Sequence, residues 1–278
     1  MTAYEVKTSI EDGIERISYY PAEKKHPTPI VMQHGMWHGA WCWESWQKVL
    51  AEQGWESHAH SLPAHSKSPT QRPLRWCTLG YYLDFLSAEV QRHTTNTPPI
   101  LMGHSMGGAL SQWYLKKVAD NLPATVLVAS WNSHEMMSAS LTVGINDPVG
   151  MLIGMPTLSA SPYVRNPKVT KQVLLSDDSI YSPEDVHAKL DGESMLVTLQ
   201  HNPPLWQPLK NPRTPILWII PENDNAVLPR TQKRSAEFYD ADVIHVAGAA
   251  HNVMMDTNYA DIARQIDTWL AKTVTVRA

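Results

Sequence analysis

The sequence predicts an α/β fold, a mainly parallel sheet covered by helices on both faces, and three observations predict it. Short apolar runs of strand character recur along the chain, at residues 29–33, 98–102, 124–129 and 214–220. Stretches with helical periodicity separate most of them, and such β-α alternation implies parallel strands joined by crossover helices. The third observation is size: 278 residues, 43% of them hydrophobic, can bury a large core in one domain.

Taken in order, residues 4–9 and 14–20 read as two strands, and the turn residues Glu11-Asp12-Gly13 join them as a hairpin. Residues 29–33 form an apolar run ended by His34-Gly35, the pattern of a strand buried on both faces. A helix over 44–53 stops at Gly54, a strand follows at 56–60, and residues 79–93 place Leu83, Leu86 and Val90 on one helical stripe. The strand at 98–102 runs into a tight turn and a helix to about residue 119, and the next strand is 124–129. From 131 to 211 the composition turns Met-, Pro- and Ser-rich, with short helical pieces such as 183–190 behind the N-cap Ser182. The strand pattern resumes at 214–220, followed by a helix at 231–239, a strand at 241–246 and an amphipathic helix at 259–272. The organisation expected is a core of residues 1–130 and 212–278, interrupted by an insertion at 131–211.

Charge and cysteine usage exclude several classes. A net charge of −4 offers no basic surface for a phosphate backbone, so no nucleic-acid partner is expected. Cys42 and Cys77 lack metal-ligand spacing and cannot build a disulfide framework; both read as reduced and structural. No run approaches the ~18 apolar residues of a membrane span, and residues 1–7 carry no secretory pattern, so a cytoplasmic location is the default expectation.

The most informative stretch is Gly103-His104-Ser105-Met106-Gly107-Gly108, between an apolar strand and the helix that opens at Ala109. In such a G-x-S-x-G turn the serine sits on a strained backbone, and the flanking glycines remove the Cβ atoms that would strike the crossing chain. Ser105 is the candidate nucleophile, and a serine hydroxyl needs a histidine base that is oriented by a carboxylate. Among thirteen histidines, His251 lies in a small-residue loop directly after the last strand, at the sheet edge where open α/β folds place their sites. His104, beside the serine, reads as structural, and His245, inside a strand, as packing. The loop after residue 220 offers Glu222 and Asp224; Asp224 is preferred because the loop reaches its tip there. His34, His38, His58, His60 and His65 could suggest a metal, but no cysteine or carboxylate joins them and the serine chemistry needs neither metal nor cofactor. His34 and His38 read instead as hydrogen-bonding scaffold.

With Ser105, Asp224 and His251 in that order, the chain resembles the α/β-hydrolase fold family over nearly its full length. The segment His34-Gly35-Met36-Trp37-His38-Gly39-Ala40-Trp41-Cys42-Trp43 is similar to the HGxxHGAWCW segment of the methylesterase and hydroxynitrile lyase branch. The resemblance implies an eight-stranded sheet with a helical lid insertion, and an oxyanion hole made by the backbone N–H groups of Met36 and Met106. Such rigid donors are each often worth ~3 kcal/mol. There are departures. Pro63-Ala64-His65-Ser66 replaces both glycines of the family's Pro-Gly-His-Gly turn. Asn252 stands where the lyases carry Lys, which weakens a cyanide-handling reading, and serine at the elbow speaks against the dehalogenase branch, whose nucleophile is Asp.

The function expected is a serine hydrolase, carboxylesterase-like, that cleaves an ester or thioester of a small to medium apolar substrate through an acyl-enzyme. Trp37, Trp131, Met136, Met151 and Met155, with Met137, Leu152 and Ile153, are the residues expected to shape an apolar pocket. The competing readings are that the methionines only pack the insertion and the tryptophans only fill the core. An acyltransferase with the same triad and a noncatalytic hydrolase-fold ligand binder remain the alternatives. The Met-rich insertion also offers a surface for a homodimer.

Overall fold

The computed structural model describes residues 3–275, and the chain enters it through the hairpin that Asp12-Gly13 dictates. Strands β1 (Tyr4–Glu11) and β2 (Ile14–Pro21) pair antiparallel, with Glu11 opposite Ile14. Asp12 and Gly13 both have positive φ, 55° and 70°. That pair of left-handed residues is what a two-residue type I′ turn needs.

Strands and helices then alternate: β3 (Ile30–Gln33), α1 (Glu44–Glu52), β4 (Ser57–His60), α2 (Leu79–Arg92), β5 (Ile100–His104), α3 (Met106–Lys117) and β6 (Thr125–Val128). Between β6 and the next strand the chain leaves the sheet for α4 (Met137–Asn146), α5 (Pro148–Thr157), α6 (Pro167–Leu174), α7 (Pro183–His187) and α8 (Met195–Gln200). It returns as β7 (Ile216–Pro221), α9 (Pro229–Phe238), β8 (Asp242–Val246) and α10 (Tyr259–Thr275). The eight strands lie in the order β1-β2-β4-β3-β5-β6-β7-β8. β2 runs antiparallel to both of its neighbours, β1 and β4; from β4 to β8 every pairing is parallel.

Burial explains which strands were easy to read. All residues of β3, β5, β6 and β7 are buried, so their sequences are continuous apolar runs with no alternation. Edge strand β8 is exposed along most of its length. His245, expected to pack inside a strand, is therefore exposed on that edge, where among the described residues no further strand pairs with β8. Helices flank the sheet, with α1 packed on α10 and α2 on α3. Among the described residues no helix is long and apolar enough to cross a membrane.

A buried ion pair fastens the antiparallel edge to the helical layer. Arg16 on β2 and Glu89 on α2 are 7% and 3% exposed, and the guanidinium grips the carboxylate with both Nε, at 2.8 Å, and Nη2. Its Nη1 donates to the carbonyls of Glu11 and Ile14 at 2.9 and 3.3 Å, so the charge is fully hydrogen-bonded. Removing one partner strands the other in a low-dielectric site. Glu89→Ala should cost about 3–5 kcal/mol in urea unfolding, while the double change Arg16→Met with Glu89→Leu should recover most of the loss. An unchanged midpoint in the single variant would count against the pair.

Candidate active site

The site starts from a turn one residue wide. Ser105 links β5 to α3 with φ 53° and ψ −116°, a region that costs a non-glycine residue about 1–3 kcal/mol. The strain is held by the Ser105 N–H donating to Val128 O at 2.9 Å, and by the Ser105 carbonyl accepting from Ala109 and Trp131 N–H. Two glycines make the turn sterically feasible. A Cβ on Gly103 would lie 2.3 Å from Gly107 O, and one on Gly107 only 2.2 Å from Gln33 O.

The loop leaving β7 carries the carboxylate. Asp224 is 2% exposed; its Oδ1 accepts from the N–H groups of Ala226 and Val227, each at 2.8 Å. Oδ2 accepts from Gln232 Nε2 at 2.8 Å and from His251 Nδ1 at 2.9 Å. Glu222, the other carboxylate of this loop, is exposed. His251, in the loop after β8, is 2% exposed, and its Nε2 lies 2.8 Å from Ser105 Oγ. A carboxylate only accepts, so Nδ1 carries the hydrogen and Nε2 presents a lone pair to the serine hydroxyl. The fold thus brings Ser105, His251 and Asp224 into one chain of hydrogen bonds.

The turn after β3 lies against the serine, since a Cβ on Gly35 would sit 2.8 Å from Ser105 Cβ. Two buried histidines hold this turn. His34 Nδ1–H donates to Gly35 O at 2.7 Å and its Nε2 accepts from Leu62 N–H at 3.0 Å. His38 Nδ1–H donates to Met36 O at 2.6 Å and its Nε2 accepts from Asn252 at 3.0 Å. Burial pushes the His38 ring down to about 4 and the His34 ring well below its ordinary range, so both stay neutral. Asn252, the residue after His251, is spent on His38 and is 1% exposed; it brings no charge to the site. Met106 begins α3, where backbone N–H groups have no partner within the helix and the helix dipole is positive. His104 Nε2 donates to the His251 carbonyl at 3.1 Å and supports that loop from behind.

A cavity of about 70 Å³ opens on Ser105 and His251, and Met36, Trp37, Trp131 and Met136 form part of its wall. Met151 and Met155 do not line it; they are 39% and 52% exposed on the outside of α5. The reason lies in the neighbouring positions. Gly150 and Gly154 are the inward face of α5, within contact of Tyr163 and Met195, so the residues after them turn outward with Leu152 and Ile153. Trp43 and Trp46 are wholly buried core. Sequence reasoning missed Gln232, Val143, Tyr163, Val173 and Met195: the first orients Asp224, the others line the cavity. None lies in a motif, and the only signal for Gln232 was its place one turn into the helix after the Asp224 loop.

The Pro63-Ala64-His65-Ser66 turn keeps left-handed backbone at both positions that lack glycine, with φ 66° at Ala64 and 50° at Ser66. His58 bonds Ser18 Oγ and Glu56 at 2.9 and 3.0 Å and stacks on His93.

Comparison with known proteins shows what the chain is similar to. Methylesterase 2 of Arabidopsis thaliana is 27% identical over 110 residues, 40% of this chain and 42% of that protein. Esterase PIR7B of Oryza sativa subsp. japonica is 28% identical over 109 residues, 39% of this chain and 40% of that protein. The chain therefore spans about two fifths of the length of these curated relatives. A crystal structure of Paleococcus ferrophilus monoacylglycerol lipase, 18% identical, superposes with a TM-score of 0.68 over 97% of this chain and 99% of that one, which is a likeness of fold. The model of the alpha/beta hydrolase family matches residues 30–265, and the chain belongs to that family.

Proposed function

We propose that the protein is a serine hydrolase that cleaves carboxylic esters through an acyl-enzyme. The observation that carries this reading is the continuous path from Ser105 Oγ through His251 to Asp224, at 2.8 and 2.9 Å. Ser105 Oγ attacks the ester carbonyl carbon as His251 Nε2 takes its proton. The tetrahedral oxyanion lies against the N–H groups of Met36 and Met106, which develop their full interaction only as the charge forms. His251 then protonates the leaving alkoxide, and the acyl group stays on Ser105. Water attacks the acyl-enzyme with His251 again as base, and the acid departs. Asp224 keeps the imidazole in the required tautomer and offsets its transient charge. Helices α4 to α8 act as the lid in this reading, since Met136, Val143, Val173 and Met195 close the cavity from that side.

The similarity to Methylesterase 2 and Esterase PIR7B supports ester hydrolysis. Cavity size narrows the substrate. One water needs about 10–15 Å³ by this measure, so 70 Å³ holds a short apolar acyl or alkyl group. Ser140, Thr198, His251 and Ser105 are the polar members of the wall, and none bears a fixed charge.

Three outcomes test the reading. A fluorophosphonate should attach to Ser105 in the wild type, and Ser105→Ala should lose both the adduct and about 10⁴-fold or more in kcat; wild-type protein that takes up no label would sink the proposal. Gln232→Leu removes one hydrogen bond from the Asp224 carboxylate while keeping bulk, and hydrogen bonds to charged groups are worth about 1.5–3 kcal/mol. It should lower kcat about 10- to 100-fold with little change in KM. Across p-nitrophenyl esters, kcat/KM should peak at acyl chains of about four carbons or fewer and fall for long chains, as the cavity volume requires.

A further inference from the structure

His65 and Glu193 are titratable, fully buried and unused by the mechanism above. His65 sits in the turn after β4, and Glu193 lies in the segment between α7 and α8; their Nε2 and Oε2 atoms are 3.2 Å apart with both side chains 0% exposed. His65 Nδ1 is 3.1 Å from Pro63 O. A carbonyl only accepts, so Nδ1 carries a hydrogen; Nε2 and Oε2 meet at ion-pair distance without an aligned hydrogen bond and have no other partner, so this buried contact is favourable only with a second proton on the ring or on the carboxyl. Glu193 Oε1 accepts from Tyr82 OH at 3.0 Å and from Ser194 N–H at 2.7 Å, which leaves Oε2 for the histidine. Loss of the shared proton would set a ring lone pair against a carboxylate inside the protein, an arrangement that low dielectric makes costly.

The segment held this way also holds Trp37. Asp191 N–H donates to Trp37 O at 2.8 Å, and the Asp191 carboxylate accepts from Ser66 N–H at 2.5 Å. Glu193 O accepts from Ala160 N–H at 2.8 Å, and Ala160 O accepts from the Trp37 indole at 3.2 Å. Trp37 follows Met36 directly, carries φ 65° and lines the cavity. Its strained backbone is thus tied at the carbonyl and at the ring to residues that His65 fastens down. Ala64 and Ser66, on either side of His65, are strained as well.

We propose that His65 and Glu193 are positioning residues whose shared proton locks the inserted segment onto the turns after β3 and β4 and so aims the Met36 N–H at the reacting carbonyl. This rests on the esterase reading. The groups that face His65 are Glu193, Tyr82, His34, His38 and Asp191. Burial works to lower the His65 ring, but the charge and hydrogen bond of Glu193, with Pro63 O and Asp191, outweigh it and the net shift is upward. A raised folded value means that the lock is complete below the ordinary histidine range, about 6.5, and is lost as pH rises through the folded value. The lock therefore gives kcat an alkaline limb, on the opposite side from the acid limb expected of a histidine base.

The test measures kcat and KM against pH for p-nitrophenyl butyrate in the wild type, Glu193→Gln, Glu193→Leu and His65→Gln, with active sites counted by fluorophosphonate and folding followed by thermal unfolding. Glu193→Gln can donate its amide N–H to a neutral His65 Nε2, so it should keep kcat within about threefold at neutral pH and lose the alkaline limb. Glu193→Leu and His65→Gln should lower kcat per labelled site about 10- to 100-fold with KM nearly unchanged, the signature of a misplaced donor. An unaltered alkaline limb in Glu193→Gln, or wild-type kcat per site in folded Glu193→Leu, overturns the proposal, and the first readout stands even where the leucine variant does not fold. Wild-type protein that neither labels nor hydrolyses overturns the esterase reading and the lock with it, a result distinct from either of those.

Discussion

One steric constraint governs the site: the chain must pass from β5 into α3 through a single residue, with α3 pressed against β3 and β5. Backbone atoms approach so closely that a methyl group on Gly103 or Gly107 would stand 2.2–2.3 Å from a carbonyl oxygen. This packing forces Ser105 into its strained conformation and lifts Oγ clear of the sheet. The turn after β3 can then come within contact of Ser105 only because position 35 is glycine. Ser105 and the turn after β3, to which the proposed mechanism gives the nucleophile and an oxyanion donor, are thus set by the same close approach, whereas Asp224 and His251 are delivered by separate loops at the ends of β7 and β8.

That division accounts for what the sequence disclosed. Strands β3, β5, β6 and β7 were legible because they are buried on both faces and so mostly apolar. The elbow was legible because its glycines answer a backbone clash, which only one residue type relieves. Asp224 and His251 could be placed by chain order and by their position after strands, without seeing the hydrogen bonds between them. The inserted helices resisted reading for a physical reason. Helices α4 and α5 expose Leu141, Ile145, Val149 and Leu152 while also turning apolar residues or glycines inward, so no stripe of one polarity emerges. The same mixture misassigned Met151 and Met155, whose identity suited a pocket but whose register on α5 points outward. Glu193 escaped because a polar residue bound to a partner far along the chain leaves no local pattern, and Gln232, though near Asp224 in the chain, because a polar residue early in a helix reads as solvent-facing.

The turn at Ala64 and Ser66 shows tertiary contacts overriding local preference. Left-handed backbone without glycine is uncommon, yet both residues adopt it. The contacts that over-determine the turn are the ones around His65 and the Ser66 N–H, together with Ser68 Oγ, which accepts from Glu15 N–H at 2.8 Å and donates to Ser61 O at 2.6 Å. Strain here is matched by polar bonds, those of Ser68 buried, that would be lost if the turn relaxed.

Protons around the site follow from the same accounting of donors and acceptors. His34 and His38 each donate through one ring nitrogen to a carbonyl and accept through the other, so a second proton on either would break a bond as well as face burial. His104 lies deep beside them and is also held well below its ordinary range, by burial first and then by His251. The rings of His38 and His104, both held low by burial first, are the histidine neighbours of His251. His65 differs because a carboxylate faces it. The buried histidines of this region thus differ by partner: His34, His38 and His104 face carbonyls, His65 and His251 face carboxylates, and His251 also reaches Ser105 Oγ.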